Sequence, residues 1–316
     1  MRIALLSGGT GGAKLSAGLV AFLGQGGLSV VTNTGDDFRA YGMLICPDTD
    51  SVFYTLGGHL DRERGWGVAN DSFRCLDQLA LYGEPTWFHL GDRDLALHIL
   101  RADLLTSGRG LTEATAEICR RSHLDTAILP MSDQPCPTRI RTEAGWLGLQ
   151  EWLVRDRCRP EVLQVALNPR AQPTAQVLSA LTEADLVLIG PSNPVISIEP
   201  ILALEGVRQL LVKRRDSVVA VSPLVGGRAL KGPTADMLTW LGRGDGVVAV
   251  AEGYRDVAAT IVIDHSDRDL ADRISELGMQ VSITDLVMHD AASAKELAED
   301  IVQGIALGLD RTGGTR

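Results

Sequence analysis

The run Ser7-Gly8-Gly9-Thr10-Gly11-Gly12-Ala13-Lys14 has the composition of an anion cradle. Glycines let backbone amides approach phosphate oxygens at a helix N-terminus, and a lysine one turn in supplies counter-charge. The run matches neither of two familiar glycine-rich patterns. A nucleoside triphosphatase loop places its lysine between Gly and Ser or Thr, whereas Lys14 lies between Ala13 and Leu15. A dinucleotide fingerprint starting at Gly9 needs glycine where Lys14 stands. Four glycines within residues 8–12 exceed the needs of a tight turn, so Gly9, Thr10, Gly11, Gly12 and Lys14 are read as phosphate contacts.

Two acidic clusters follow, Asn33-Thr34-Gly35-Asp36-Asp37 and Cys46-Pro47-Asp48-Thr49-Asp50. Carboxylates gathered near a phosphate repel one another unless a cation sits among them, and oxygen donors of this kind suit Mg²⁺ shared with substrate phosphates. Asp36, Asp37, Asp48 and Asp50 are therefore candidate metal ligands, with Asn33 beside them as a candidate substrate contact. Asp36 and Asp50 also stand where an aspartate caps a turn or helix, so the residues leave open which bind metal and which meet substrate.

Further loops add polar groups. In Phe88-His89-Leu90-Gly91-Asp92-Arg93, the guanidinium fork of Arg93 suits an anionic or planar ligand, while Asp92 serves equally as a helix cap. Gly190-Pro191-Ser192-Asn193-Pro194 and the stretch from Ser222 to Pro233 each follow an apolar run. They offer Ser192, Asn193, Gly226, Gly227 and Lys231 to a nucleotide. There is no G-x-S-x-G elbow, no H-E-x-x-H and no identifiable cysteine nucleophile. Phosphoryl-type transfer by positioning and charge stabilisation is the chemistry these parts suit.

Positioning such loops requires a sheet that ends at them. Apolar runs at 2–6, 28–32, 185–189, 217–221, 246–251, 260–264 and 280–284 alternate with helical patterns such as 14–23 and 267–277. That predicts an α/β fold, a doubly wound, mostly parallel Rossmann-like sheet with helices on both faces. Helical spacing at 71–82 and 94–105 and an alternating hairpin over 139–148 predict a helical and hairpin insertion, a cap at roughly 60–160 on a single domain of 316 residues. The tail after Leu309, with Arg311, Gly313 and Gly314, is expected to fray.

The composition, 45% hydrophobic and 22% charged, is that of a globular chain able to bury a full core. A formal net charge of −10 argues against a broad nucleic-acid surface, which points to a small anionic ligand met by a local cluster. Five scattered cysteines with no C-x-x-C pair predict reduced thiols and no zinc site. No apolar stretch reaches about eighteen residues and no signal peptide is expected, so the reading is cytoplasmic with no membrane partner.

Taken in order and spacing, SGGTGGAK, NTGDD, CPDTDSVFYTLGG, WFHLGDRDLA, GPSNP with ISIEPIL, and SPLVGGRALKGP resemble the 2-phospho-L-lactate transferase family of coenzyme F420 biosynthesis. The resemblance implies Mg²⁺-dependent transfer of a phospholactyl-type group from a guanosine diphosphate adduct to the ribityl hydroxyl of the deazaflavin Fo, releasing GMP, by a homodimer. Phospholactate, phosphoenolpyruvate and phosphoglycerate remain open as the phospho-acid. By motif, Gly9 to Gly12 and Lys14 would lie near the guanylyl donor, and Ser192, Asn193 and the Gly226-to-Lys231 loop would complete its pocket. The aspartates would hold Mg²⁺ and orient the Fo hydroxyl, Asp50 or Asp37 accepting its hydrogen bond. His89 stands where the family often carries a basic residue, which would make an acceptor contact there pH-dependent. A non-catalytic, nucleotide-sugar-binding regulator of the same superfamily is the alternative; the CPDTDSVFYTLGG block favours the transferase. An NAD(P)-dependent oxidoreductase is disfavoured by Lys14 in place of the third glycine.

Overall fold

A computed structural model describes residues 1–312. The central strands are β1 (Ile3–Ser7), β2 (Leu28–Thr32), a short antiparallel pair β3 (Phe38–Ala40) and β4 (Met43–Ile45), and β5 (Ala127–Pro130). A small antiparallel sheet comprises β6 (Arg139–Thr142), β7 (Gly145–Gly148) and β8 (Gln164–Ala166). The chain returns to the main sheet with β9 (Leu186–Ile189) and β10 (Val218–Val221), makes the hairpin β11 (Leu224–Val225) and β12 (Arg228–Ala229), and adds β13 (Thr260–Asp264) and β14 (Gln280–Thr284).

The main sheet has seven strands in the order β14-β13-β10-β9-β1-β2-β5, and every pairing in it is parallel. Strands β1, β9 and β10 are buried at every position, as expected of near-continuous Ile, Leu and Val runs covered on both faces. One apolar cluster fills each face, one around Leu6, Ile189 and Ala220 and the other around Leu5, Leu19 and Leu188. From β1 the chain moves one way to β2 and later returns to β9 on the other side. The carboxyl ends of β1 and β9 thus form the topological switch point, where open α/β sheets bind ligands.

Five helices bear on the site: α1 (Gly9–Leu23), α2 (Pro47–Leu56), α3 (Arg74–Leu81), α4 (Asp92–Thr106) and α5 (Leu111–Arg121). Helix α1 begins within the glycine run itself rather than at Lys14. The hairpin and both middle helices form as the spacing predicts, but β5 pairs with β2 as the sheet's edge strand. The expected cap at 60–160 is therefore divided by a strand of the main sheet. The run at 246–251, expected as a strand, lies in a helix spanning Gly246–Tyr254. An apolar run of six residues buried on several sides has no periodicity to separate the two states, and here the pattern continues through Glu252 to buried Tyr254. The last helix spans Ala291–Thr312; Gly313 and Gly314 of the expected frayed tail lie outside the described residues. No helix among the described residues is long and apolar enough to cross a membrane.

Candidate active site

The turn from β1 into α1 is built by close packing. A Cβ on Gly8 would strike Ser197, on Gly11 the Pro191 carbonyl oxygen, and on Gly12 the Ser7 hydroxyl. The GPSNP loop after β9 thus sits directly on the glycine loop. Ser192 clamps the two together: Gly8 N–H donates to its Oγ (3.2 Å), and its hydroxyl donates back to Gly8 O (2.7 Å). Gly9 differs, with φ of +63° and open space where a Cβ would stand. Three of the four glycines answer to packing, and Gly9 is the one with open space where a side chain would stand.

Helix α1 has no side-chain cap of its own and no acidic residue in its first turn. Asp48 supplies the missing anion, its Oδ1 accepting from Gly9 N–H. Such a carboxylate at a helix N-terminus is favoured by the aligned amides. Asn33, fully buried, holds Asp48 in place by donating from Nδ2 to Oδ2 (2.9 Å) while its own Oδ1 accepts from Gly35 N–H (2.7 Å). Asn33 therefore positions a carboxylate.

The cleft, about 570 Å³, opens above Gly9, Thr10, Gly11 and Lys14, with Pro191 to Asn193 and Ser222-Pro223 alongside. Its far wall comes from segments that carry no familiar motif: Arg64, Gly65 and Trp66, then Leu153, then Leu286 and Met288. Lys14 Nζ donates to Met288 O (2.8 Å), and burial, then the nearby Lys231, lowers its pKa. Lys231 lines the cleft with its Nζ beside Gly65.

Behind the floor lie the carboxylates. Burial first, then the charges of Asp48 and Asp37, hold the Asp36 carboxyl well above the usual range. Asp36 Oδ2 accepts from Gln150 Nε2 (3.2 Å), but its Oδ1 is sealed from solvent without a partner. Asp37 is half-buried overall, yet its Oδ1 is likewise sealed and unpartnered. Burial raises its pKa too, against a hydrogen bond from the Cys46 thiol and the charge of Arg101. Asp48 is pushed up to about 6 by burial, opposed by Asn33 and the Gly9 amide. Asp50 is different: Arg101, 2% exposed, grips it with two nitrogens, Nη1 donating to Oδ2 at 3.1 Å and Nη2 to Oδ1. His98 Nδ1 stands 3.7 Å from the same carboxylate, and its Nε2 lies 3.2 Å from Asp94 Oδ1 without hydrogen-bond alignment. Tyr54 donates to Asp94.

This arrangement fits a cation shared between protein and ligand. Two orphaned carboxylate oxygens and three carboxyls with raised pKa mark a site short of positive charge. Among the described residues no three His, Cys, Asp or Glu groups are preassembled around one point, so an all-protein cage is not what they form. One or two carboxylates plus substrate oxygens is the habit of Mg²⁺. Asp36, Asp37 and Asp48 have acceptor capacity for it. Asp50, expected as ligand and hydroxyl acceptor, is instead the counter-ion of Arg101, because an unpaired buried guanidinium would be costlier than the pair.

Asn193 lines the cleft and caps the segment Pro194–Ile198, its Oδ1 accepting from Val195 N–H (2.8 Å) and Ile196 N–H (3.3 Å). Other expected contacts fall elsewhere. Gly226 and Gly227, at φ of +58° and +71°, form the two-residue turn of the β11–β12 hairpin. Gly226 N–H donates to Asp267 (2.9 Å), and neither glycine lines the cleft. Arg93 is exposed on α4 and reaches Ala69 O (3.3 Å), while Asp92 caps α3 through Arg74 N–H and Cys75 N–H. His89 lies outside the cleft lining, packed beside Trp66 and Phe73. Arg101, Cys46 and Trp66 went unremarked in the sequence. Arg101 is hidden in a helical pattern where a charge ordinarily faces solvent, and only the Gly65-Trp66-Gly67 tripeptide hinted at a displayed ring.

Comparison with known proteins places this geometry. Residues 3–304 match the family model described as 2-phospho-L-lactate transferase CofD. A 2-phospho-L-lactate transferase of Methanosarcina acetivorans is 39% identical over 300 residues, covering 94% of this chain and 97% of that protein. A phosphoenolpyruvate transferase of Streptomyces coelicolor is 36% identical, covering 95% and 97%. Among solved structures, a UPF0052 family protein of Bacillus halodurans superposes with a TM-score of 0.60 at 16% identity, covering 95% of this chain and 98% of that one, a likeness of fold. The chain belongs to the 2-phospho-L-lactate transferase CofD family.

Proposed function

We propose that this chain transfers a phospho-acid group, either phospholactate, phosphoenolpyruvate or phosphoglycerate, from its guanosine diphosphate adduct to the ribityl hydroxyl of Fo, releasing GMP in coenzyme F420 biosynthesis. The observation that carries the reading is the meeting, at one switch point, of a rigid glycine turn lining the cleft, two lysines and three buried carboxyls with raised pKa. The names of its relatives, which act on 2-phospholactate and phosphoenolpyruvate, support the donor class. Family membership supports the acceptor.

In this reading the donor's diphosphate lies along the Gly9 to Gly11 turn, with Lys14 and Lys231 offsetting its charge. One or two of Asp36, Asp37 and Asp48 would hold Mg²⁺, which when bound supplies positive charge against the diphosphate. The acceptor oxygen forms a bond to the distal phosphorus as the bond from that phosphorus to the GMP oxygen breaks. Asp37 Oδ1 accepts the hydrogen bond of the attacking hydroxyl, whose proton passes to solvent. A loose transition state asks little more of a base. The Ser192 clamp and the glycine packing keep the turn rigid, so its amides need no reorganisation during reaction.

A homodimer is part of the proposal, and light scattering of the purified protein tests it: a single-chain mass would remove it. Incubating the protein with Fo, Mg²⁺ and the three guanylylated donors in competition, then weighing the deazaflavin product, tests the reaction. One dominant mass identifies the donor, and no product from any of them overturns the transferase reading.

A further inference from the structure

The strongest feature left over by that account is the wall opposite the glycine turn. Residues 60–68 leave α2, close on themselves through a bridge between Leu60 and Val68, and present Trp66 to the cleft. Trp66 is 41% exposed although it is braced from behind. The Arg64 guanidinium lies over its ring, 4.9 Å from the centroid, and also over Phe73 at 5.5 Å. Arg64 is itself fixed, Nε donating to Asp61 Oδ2 (2.9 Å) and Nη2 to Val68 O (2.8 Å). His89 packs against Trp66 and Phe73 at 6.1 and 6.0 Å between centroids. A large apolar ring held in one orientation, partly bare and turned into a binding cleft is unusual for a residue with a purely packing role.

We propose that Trp66 is the stacking platform for the planar ring of the acceptor, a tricyclic deazaflavin, so that Arg64, Trp66 and the acceptor ring form one stack. The inference rests on the transferase reading for the identity of the acceptor. The surroundings favour the acceptor over guanine. Recognition of a purine relies on hydrogen bonds to its edge, and two donor positions of Arg64 are already occupied by Asp61 and Val68. Apart from the Lys231 ammonium beside Gly65, the cleft lining that Trp66 shares offers aliphatic surface from Leu153 and Leu230, which rewards area. A tricyclic ring supplies more of it than a purine. The loop also follows directly from α2, whose first turn carries Asp48, so the acceptor's ribityl chain would run from Trp66 toward the carboxylates.

The test is direct binding of Fo and of GMP, each by equilibrium dialysis with Mg²⁺, to the wild type and to Trp66→Ala and Trp66→Phe, alongside KM and kcat for Fo. Loss of one aromatic stacking partner is expected to weaken Fo binding about 10-fold or more in Trp66→Ala. GMP binding should stay unchanged and kcat should fall much less than KM rises, while Trp66→Phe recovers most of the affinity. Circular dichroism melts of both variants establish that the fold is intact. Unchanged Fo affinity in Trp66→Ala overturns the platform, as does a loss confined to GMP. A wild type that binds Fo in a Trp66-dependent way but forms no product sinks the transferase reading and leaves the platform standing; a wild type that binds no Fo overturns both.

Discussion

The glycine turn and the carboxylates behind it touch through one bond, Gly9 N–H to Asp48, yet they are held by opposite physics. The turn is saturated: Gly8, Gly11 and Gly12 have neighbours where a side chain would stand, and Ser192 fastens its backbone. The carboxylates at 36, 37 and 48 are acidic groups without a cation: Asp36 and Asp37 each have a buried oxygen lacking a partner, and burial raises the pKa of all three. Only Asp50 is balanced, by Arg101. A preformed, rigid wall thus faces an acidic one. In the proposed reaction the first orients the diphosphate and the second would hold Mg²⁺.

The comparison is broken most severely at the balanced carboxylate. Arg101→Met leaves Asp50 buried and uncompensated, and urea unfolding should show a loss of about 3–5 kcal/mol. Asp48→Asn, by contrast, keeps shape and removes a charge from a site already too negative. The relief of repulsion is set against one lost acceptor toward Gly9 N–H or Asn33, so metal-free stability should change little while transfer, measured by product mass, falls about 100-fold. On the saturated wall the glycines should separate by cause. Gly11→Ala, meeting a backbone carbonyl that cannot retreat, should destabilise by about 1–3 kcal/mol in the same unfolding assay. Gly9→Ala, with free space but a left-handed φ, should lose about 1 kcal/mol.

The smallest effect is in pH. Burial raises Asp48 from 3.8 to about 6, so between those values the folded chain keeps a proton that the unfolded chain has released. Metal-free stability should therefore fall as pH rises from about 4 through 6, the raised Asp36 and Asp37 carboxyls adding to the fall in the same direction, and melting curves with Mg²⁺ should flatten that slope. A slope of the opposite sign would mean that the cluster is already neutralised by the protein.

Much of this was legible before any coordinates. The strands at 28–32 and 260–264 fall where apolar, β-branched runs predict them, because buried parallel strands have no polar face to blur the pattern, and the half-exposed edge strand at 280–284 also forms where expected. The convergence of the SGGTGGAK and GPSNP loops follows from their places at strand ends. The helix at Gly246–Tyr254 was misread because a buried helix and a buried strand share one apolar run. The pairing of Asp50 with Arg101 has no local signal, because the partner lies 51 residues away on α4 and a sequence does not show which charges meet. The packing of Pro191 on Gly11 has no local signal either, because the two lie about 180 residues apart. Such tertiary contacts are invisible to local pattern.

The central claim is that the acidic wall holds a cation that the transfer requires. The direct measurement is the mass of the deazaflavin formed from Fo and a guanylylated phospho-acid, with Mg²⁺ or with excess chelator, by the wild type and by Asp48→Asn. The account predicts product with the added mass of the phospho-acid only from the wild type with Mg²⁺, and at most about a hundredth as much from Asp48→Asn. Equal product in chelator, or full turnover by Asp48→Asn, would contradict it.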